Sequence, residues 1–288
     1  MAVPTHQVVI GALQLLLLAV GGWVLVRTCF VRELRDELLG RSRLAPWPLG
    51  GHEVAFLALV IFLCGLVAQV SAMQLFGSRI AGAADESGLR VALFGFAFHA
   101  GALLGWPLFH ATRTRLHRDY GAEPPAAPAG RPAPLRTVLW GGLVTLVLAF
   151  PLLALTSAGW TFLLRTLGLP HAPQDLIGVF GAVDSPAVLV AMLLVACVVA
   201  PINEELLFRG VIFRGLRPRF GRGPALAVSG VLFGLLHANW AGFLPLALLG
   251  AVLALAYERS GDIRVPIVAH ALFNLNTTVV VLSGLPAA

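Results

Sequence analysis

The chain has 288 residues, of which 58% are hydrophobic and only 12% charged, against roughly 25% charged in an ordinary soluble domain. With a mean hydropathy of +0.87 and several charge-free stretches of membrane-spanning length, this excludes a water-soluble enzyme and leaves an all-α, polytopic helical membrane protein. The formal net charge is +6 and all 20 basic residues are arginine; none sits in a run interleaved with aromatics, so the bilayer, and not nucleic acid, is the expected partner.

In chain order, residues 8–26 form the first predicted span. No basic stretch or small-residue cleavage site accompanies it and Arg27 follows directly, so it reads as a retained span and not a removed signal peptide. Further spans are predicted at 54–76, 91–112, 138–164 with a kink at Pro151, 187–216, 225–238, 242–257 and 265–283. That makes eight, the sixth and seventh short. Arginines mark the connections: 17 fall in the first, third, fifth and seventh, and only Arg79, Arg90 and Arg165 in the others. Because basic residues concentrate on the cytoplasmic side, both termini are expected outside, with the catalytic motifs described below toward the cytoplasm. Residues 121–134, rich in Pro, Ala and Gly, read as a flexible cytoplasmic linker. Cys29, Cys64 and Cys197 are widely separated and support neither a disulfide framework nor a zinc ribbon. No internal repeat is visible. Residues 1–186 are treated as scaffold and 187–284 as the catalytic part.

Ionisable groups inside spans cost about 2.5–3.5 kcal/mol each on insertion scales, so each needs a reason. Glu204 and Glu205 lie in Pro201-Ile-Asn-Glu-Glu-Leu-Leu-Phe-Arg-Gly210. Adjacent helical residues point about 100° apart, so the two carboxylates face different ways. Glu205 and Arg209, at i and i+4, can pair along one face, leaving Glu204 to face a cavity. The plainer alternative is an interfacial salt bridge at a helix end. Two distant histidines weigh against it. His237 ends Phe233-Gly-Leu-Leu-His237, and His270 opens His270-Ala-Leu-Phe-Asn274, which puts two polar side chains on one helical face. A lone histidine in a span is more often a packing residue, the reading given to His99 and His110. Gly230 and Gly234 form a small step beside His237 that admits another helix.

At 1.5 Å per residue, Glu204 lies about 18 Å above Leu216 and His237 about 18 Å above Ala225, so an antiparallel hairpin sets them at one depth. From Val265, Asn274 rises only about 14 Å and His270 about 8 Å, so the last helix has to tilt or start deeper to join them. In a low-dielectric cavity Glu204, helped by neutral His237, could act as general base toward a water attacking a peptide carbonyl. His270 and Asn274 could then donate to the oxyanion, at about 3 kcal/mol per donor. Alternatively Glu204, His237 and His270 could hold a zinc ion whose bound water is the nucleophile.

These three elements resemble the signature of the CAAX prenyl endopeptidase and bacteriocin-processing family of intramembrane proteases, the type II prenyl endopeptidase group. Two glutamates followed by an arginine are met by Glu204, Glu205 and Arg209; Phe and His four apart by Phe233 and His237; His then Asn by His270 and Asn274. The resemblance covers about residues 187–283. It implies that Glu204 is the catalytic carboxylate, with His237, His270 and Asn274 completing the site, Glu205, Arg209 and Phe233 shaping it, and the metal left open. No HExxH or GxGD occurs, Arg259-Ser-Gly-Asp262 being the nearest approach to the latter, and no Gly-x-Ser-x-Gly surrounds Ser71, Ser157 or Ser229.

The expected function is an intramembrane endopeptidase acting on a membrane-anchored peptide or protein. Arginine-only basic usage points to a GC-rich genome, hence a bacterial inner membrane, where a leader-type peptide suits better than a prenylated tail. The rivals are a non-catalytic immunity or scaffold protein of the same fold and a small transporter in which Glu204 relays protons.

Overall fold

In the computed structural model, residues 4–40, 42–44, 49–119, 133–172 and 175–285 are described; most of the linker expected at 121–134 lies outside them. They form ten helices and no strand: α1 (Thr5–Phe30), α2 (Arg32–Leu39), α3 (Gly51–Ile80), α4 (Glu86–Asp119), α5 (Leu135–Thr166), α6 (Asp175–Ala182), α7 (Pro186–Phe220), α8 (Arg222–Leu236), α9 (Trp240–Ser260) and α10 (Arg264–Leu282). Seven of the described helices are long and apolar enough to cross a membrane, and α8, at 15 residues, is apolar but short. These eight correspond to the eight apolar segments predicted. The seventh is longer than expected, 21 residues, because Pro245 falls in its first turns and its polar last turn, through Ser260, stays helical. The chain is a polytopic all-α membrane protein.

Apolar side chains face outward along the spanning helices, as lipid allows, and the core lies where small residues let helices close up. Gly21 of α1 sits against the Pro151 ring of α5. Gly230 and Gly234 of α8 meet the backbone of α9 at Ala247, and Gly250 of α9 lies against Gly230 and Phe233. The small step read from the sequence thus brings α9 against the helix that carries Phe233 and His237.

Helix α7 holds the glutamates and is not a regular α-helix. Pro201 has no N–H to return to residue 197, and its ring would crowd that carbonyl in a 3.6-residue turn. The turn before it is widened over Val195–Val199, with the Ala200 N–H bonded to Val195 O, five residues back. A second wide stretch, Leu206–Phe213, follows the glutamates. Wide turns of this kind concentrate at functional sites.

One end of the bundle is knit together by arginines. Glu258, fully buried, receives Arg217 Nε at 2.5 Å and Arg222 Nε at 2.6 Å. The Arg43 N–H bonds Glu258 O, Arg219 reaches Leu49 O, and Arg264 reaches Ala133 O and Asp262. At the opposite end, Asp85 accepts the backbone N–H groups of Asp184 and Ser185, and Trp160 Nε1 donates to Trp240 O.

Candidate active site

The adjacent glutamates differ as their angular separation requires. Glu205 is wholly buried, and its Oε1 accepts from Arg209 Nη1 at 2.9 Å, one turn along α7. Arg209, also wholly buried, donates through Nη2 to Gly250 O at 2.9 Å, and its guanidinium lies over the Phe233 ring at 4.6 Å. The charge pair is thus held in an aromatic and backbone cage, and Phe233 supports the site by covering it. Glu204 instead faces a cavity of about 1210 Å³. Its side chain is 24% exposed and its Oε2 has no hydrogen-bond partner among the described residues.

His270 joins the two carboxylates. Its Nδ1–H donates to Glu205 Oε1 at 2.8 Å, while Nε2 stands 3.8 Å from Glu204 Oε2. The second distance is too long for a direct hydrogen bond, and Glu204 Oε2 is itself buried at this contact. His270 is therefore level with both glutamates, where equal starting depths for parallel helices would leave it about 10 Å short. The failed assumption is that the helices start at one depth and run parallel.

His237 sits at the end of α8. Its Nδ1–H donates to Phe233 O at 2.8 Å, which turns Nε2 outward, and Ala238, at φ 48°, bends the chain toward α9. Its ring lies 4.8 Å from that of Phe233, on the cavity wall that Glu204 shares. Asn274 lines the same cavity, with one amide hydrogen given to Ala196 O at 2.7 Å. The predicted residues Glu204, His237, His270 and Asn274 all border one cavity, with Glu205, Arg209 and Phe233 packed behind.

Two further polar residues join them. Asn203 Nδ2 donates to His99 Nδ1 at 3.1 Å; both line the cavity, and Asn203 Oδ1 has no partner among the described residues. His99 is buried and hydrogen-bonded, as a packing residue would be, and it also gives the cavity a wall from α4, which was read as scaffold. Asn203, directly before the glutamates, carried the available signal, a third polar residue in an apolar helix. His110, by contrast, stacks on Trp106, with ring centroids 6.4 Å apart.

Glu204 lies near the middle of the 35-residue α7, and the cavity above it extends away from the arginine-rich end, toward His171 and Asn239.

For zinc, the imidazole contacts are of a suitable kind, since each Nδ1–H is held by an oxygen as in metal-ligating histidines. Among the described residues, however, no three His, Cys, Asp or Glu side chains are grouped as metal ligands.

Residues 186–276, about a third of the chain, match the family model described as type II CAAX prenyl endopeptidase Rce1-like. The chain is similar to the Bacillus subtilis (strain 168) protein named "Putative membrane peptidase YdiL", at 37% identity over 91 residues, 32% of this chain and 36% of that relative. It is also similar to an "Uncharacterized 24.3 kDa protein" of Escherichia coli, at 30% identity over 123 residues, 41% of this chain and 56% of that relative. The chain thus spans between about a third and just over half the length of these curated relatives. No solved structure matches.

Proposed function

We propose that the protein is an intramembrane endopeptidase that hydrolyses a peptide bond of a membrane-anchored substrate with water activated by Glu204. The observation that carries this reading is the linked set Glu204, His270, Glu205 and Arg209. A carboxylate bordering the cavity stands 3.8 Å from an imidazole, and a buried, charge-paired carboxylate fixes that imidazole from behind. Base, partner and orienter are the elements of an activated nucleophile.

Water in the cavity at the Glu204 carboxylate gives a proton to Glu204 as its oxygen attacks the carbonyl carbon. Glu204 returns the proton to the leaving nitrogen, so atoms and charge balance over the cycle. His237, with Nε2 turned outward, helps hold the water or the leaving amine. Asn274 keeps a second amide hydrogen for the developing oxyanion, a contribution of about 3 kcal/mol for a well-placed donor. The Rce1-like segment and the peptidase name of the Bacillus relative support the same reaction class.

A second reading places zinc on Glu204, His237 and His270, favoured by the oxygen partner behind each imidazole. The ungrouped arrangement gives no ligand set through which to route a step. Purified protein in lipid nanodiscs, assayed for cleavage of lipid-tethered quenched peptides with and without chelator and analysed for metal, tests both. Glu204→Gln is expected to abolish turnover without changing the melting temperature. Turnover surviving in that variant refutes the proposal, and proton-coupled uptake into vesicles lost in the same variant replaces it with transport. Activity lost on chelation and restored by zinc selects the metal reading.

A further inference from the structure

We infer that the cavity is loaded from the membrane face opposite the arginine-rich end, so that its substrate is an extended, largely apolar segment of a membrane-anchored peptide on the extracytoplasmic side. The inference rests on the endopeptidase reading for what happens to that segment, but its sidedness follows from the geometry of the cavity and the distribution of arginine.

The cavity keeps to one half of the bundle. On α10 its lining runs from His270 to Val281, and on α5 from Ala154 to Arg165, reaching the end of each helix away from the arginine network. From α9 it takes only the first turns, Ala241 to Leu246, and from the connections His171, Ala172 and Asn239. None of its lining comes from 209–235 or 247–269, the stretches that include the arginine-rich end. The opposite direction is plugged. Behind the glutamates lie Arg209 and Phe233, each 0% exposed, and then a cluster of Phe213, Ala225 and Ala254, likewise 0% exposed. A substrate coming from the arginine-rich end would have to displace this packing.

Chain position assigns the ends. Among the described residues, and apart from Arg209 in the core, Arg79, Arg90 and Arg165 lie away from the end where Arg43, Arg217, Arg219, Arg222 and Arg264 gather, and such an imbalance marks that end as cytoplasmic. The open end is then extracytoplasmic. The 11 helical steps from His270 to Val281 span about 16 Å, and an extended strand covers that depth in about five residues at 3.3 Å each. The walls that such a strand meets carry Phe98, Phe162 and Phe273, which suits apolar side chains flanking the bond to be cut. A lipid-modified tail displayed in the cytoplasm has no route to Glu204 in this arrangement.

The test uses the full chain in a bacterial inner membrane, with Cys29, Cys64 and Cys197 replaced by serine. Single cysteines are placed at the mouth (His171→Cys), inside the cavity (Thr277→Cys) and at the arginine-rich end (Ser42→Cys). A membrane-impermeant thiosulfonate is applied to spheroplasts and to inverted vesicles. The first two variants are expected to react in spheroplasts and to lose reaction in inverted vesicles, and the third to do the reverse. Labelling of His171→Cys and Thr277→Cys from the inverted side overturns the inference, as does a Thr277→Cys that reacts from neither side while the mouth reacts normally. A peptide tethered to the outer face of spheroplasts is then expected to be cleaved, and the same peptide on inverted vesicles spared. Correct labelling with no cleavage on either face sinks the protease reading while leaving the sidedness standing.

Discussion

The buried pair Glu205–Arg209 makes the sharpest prediction about stability. Replacing Arg209 by methionine keeps the unbranched apolar stem of the side chain but removes the guanidinium and strands the Glu205 carboxylate, which is 0% exposed, with His270 as its remaining donor. Breaking a buried pair by removing one partner costs about 3–5 kcal/mol, and the loss of the Arg209 bond to Gly250 O falls within that range. For a chain of this size each kcal/mol moves the midpoint by about 2–4 °C, so a fall on the order of 10 °C is expected. The double variant Glu205→Gln/Arg209→Met removes both charges and retains an amide oxygen that can accept the His270 Nδ1–H. It should melt well above the sum of the two single losses, with a coupling of about 1–3 kcal/mol. The assay is thermal unfolding in detergent with a thiol-reactive fluorogenic dye in a Cys29→Ser background, since Cys64 and Cys197 are half-buried free thiols while Cys29 is exposed. A wild-type midpoint for Arg209→Met, or a double variant that loses as much as the two singles together, refutes the account of this pair as a mutually neutralised unit.

A Cβ at Gly250 would stand 2.8 Å from Gly230 Cα and 3.1 Å from Phe233 Cβ, so Gly250→Ala should cost about 1–3 kcal/mol and, by pushing α8 and His237 away, lower turnover in the nanodisc assay. His99→Ala leaves the Asn203 amide without its buried acceptor and should cost about 1–3 kcal/mol; His99→Gln, which keeps an acceptor, should recover most of the loss in the same thermal assay. The hydrogen bonds and charge of Arg264 hold the Asp262 carboxyl below its ordinary value of 3.8. A lowered value in the fold means that stabilisation is complete above about 3.8 and fades as the pH falls below it. Asp262→Asn should therefore flatten the acid limb of a melting-temperature profile while leaving the neutral region parallel to wild type.

How much of this was legible in the sequence depends on the range of each interaction. The spans follow from hydropathy, and the opposite fates of Glu204 and Glu205 follow from the 100° between helical neighbours, with Arg209 one turn on to choose which is buried. The Gly230–Gly234 step likewise announced a close helix, and α9 is that helix. His99–Asn203 was not legible, because the partners are 104 positions apart and one histidine in an apolar helix looks the same whether it packs or faces a cavity. The role of His270 was only half legible. Its i, i+4 spacing to Asn274 suggested two oxyanion donors, whereas its Nδ1 is taken by Glu205, a contact that no local pattern announces. The wide turns around Pro201 were hidden for a related reason: proline predicts a disturbed helix but not whether the helix kinks or widens.

The exposure of Glu204 and the burial of Glu205 have one electrostatic origin. A charge within a membrane is tolerated when it is paired or wetted. Glu205 is wholly buried and meets both Arg209 and His270 through Oε1. Arg209 is spent on Glu205 and is enclosed by Phe233, so it cannot also neutralise the carboxylate next door. The charge on Glu204 must be solvated through the cavity, and a solvated carboxylate with a fixed imidazole beside it brings water to where a base can use it. On this reasoning, closing the cavity should be harder to tolerate than losing any single apolar wall residue. A bulky substitution at the mouth, Ala172→Trp, is expected to lower both turnover and melting temperature in wild type, but to lower the melting temperature less in Glu204→Gln, where no charge needs water. Equal losses in the two backgrounds would separate the solvation of Glu204 from the existence of the cavity.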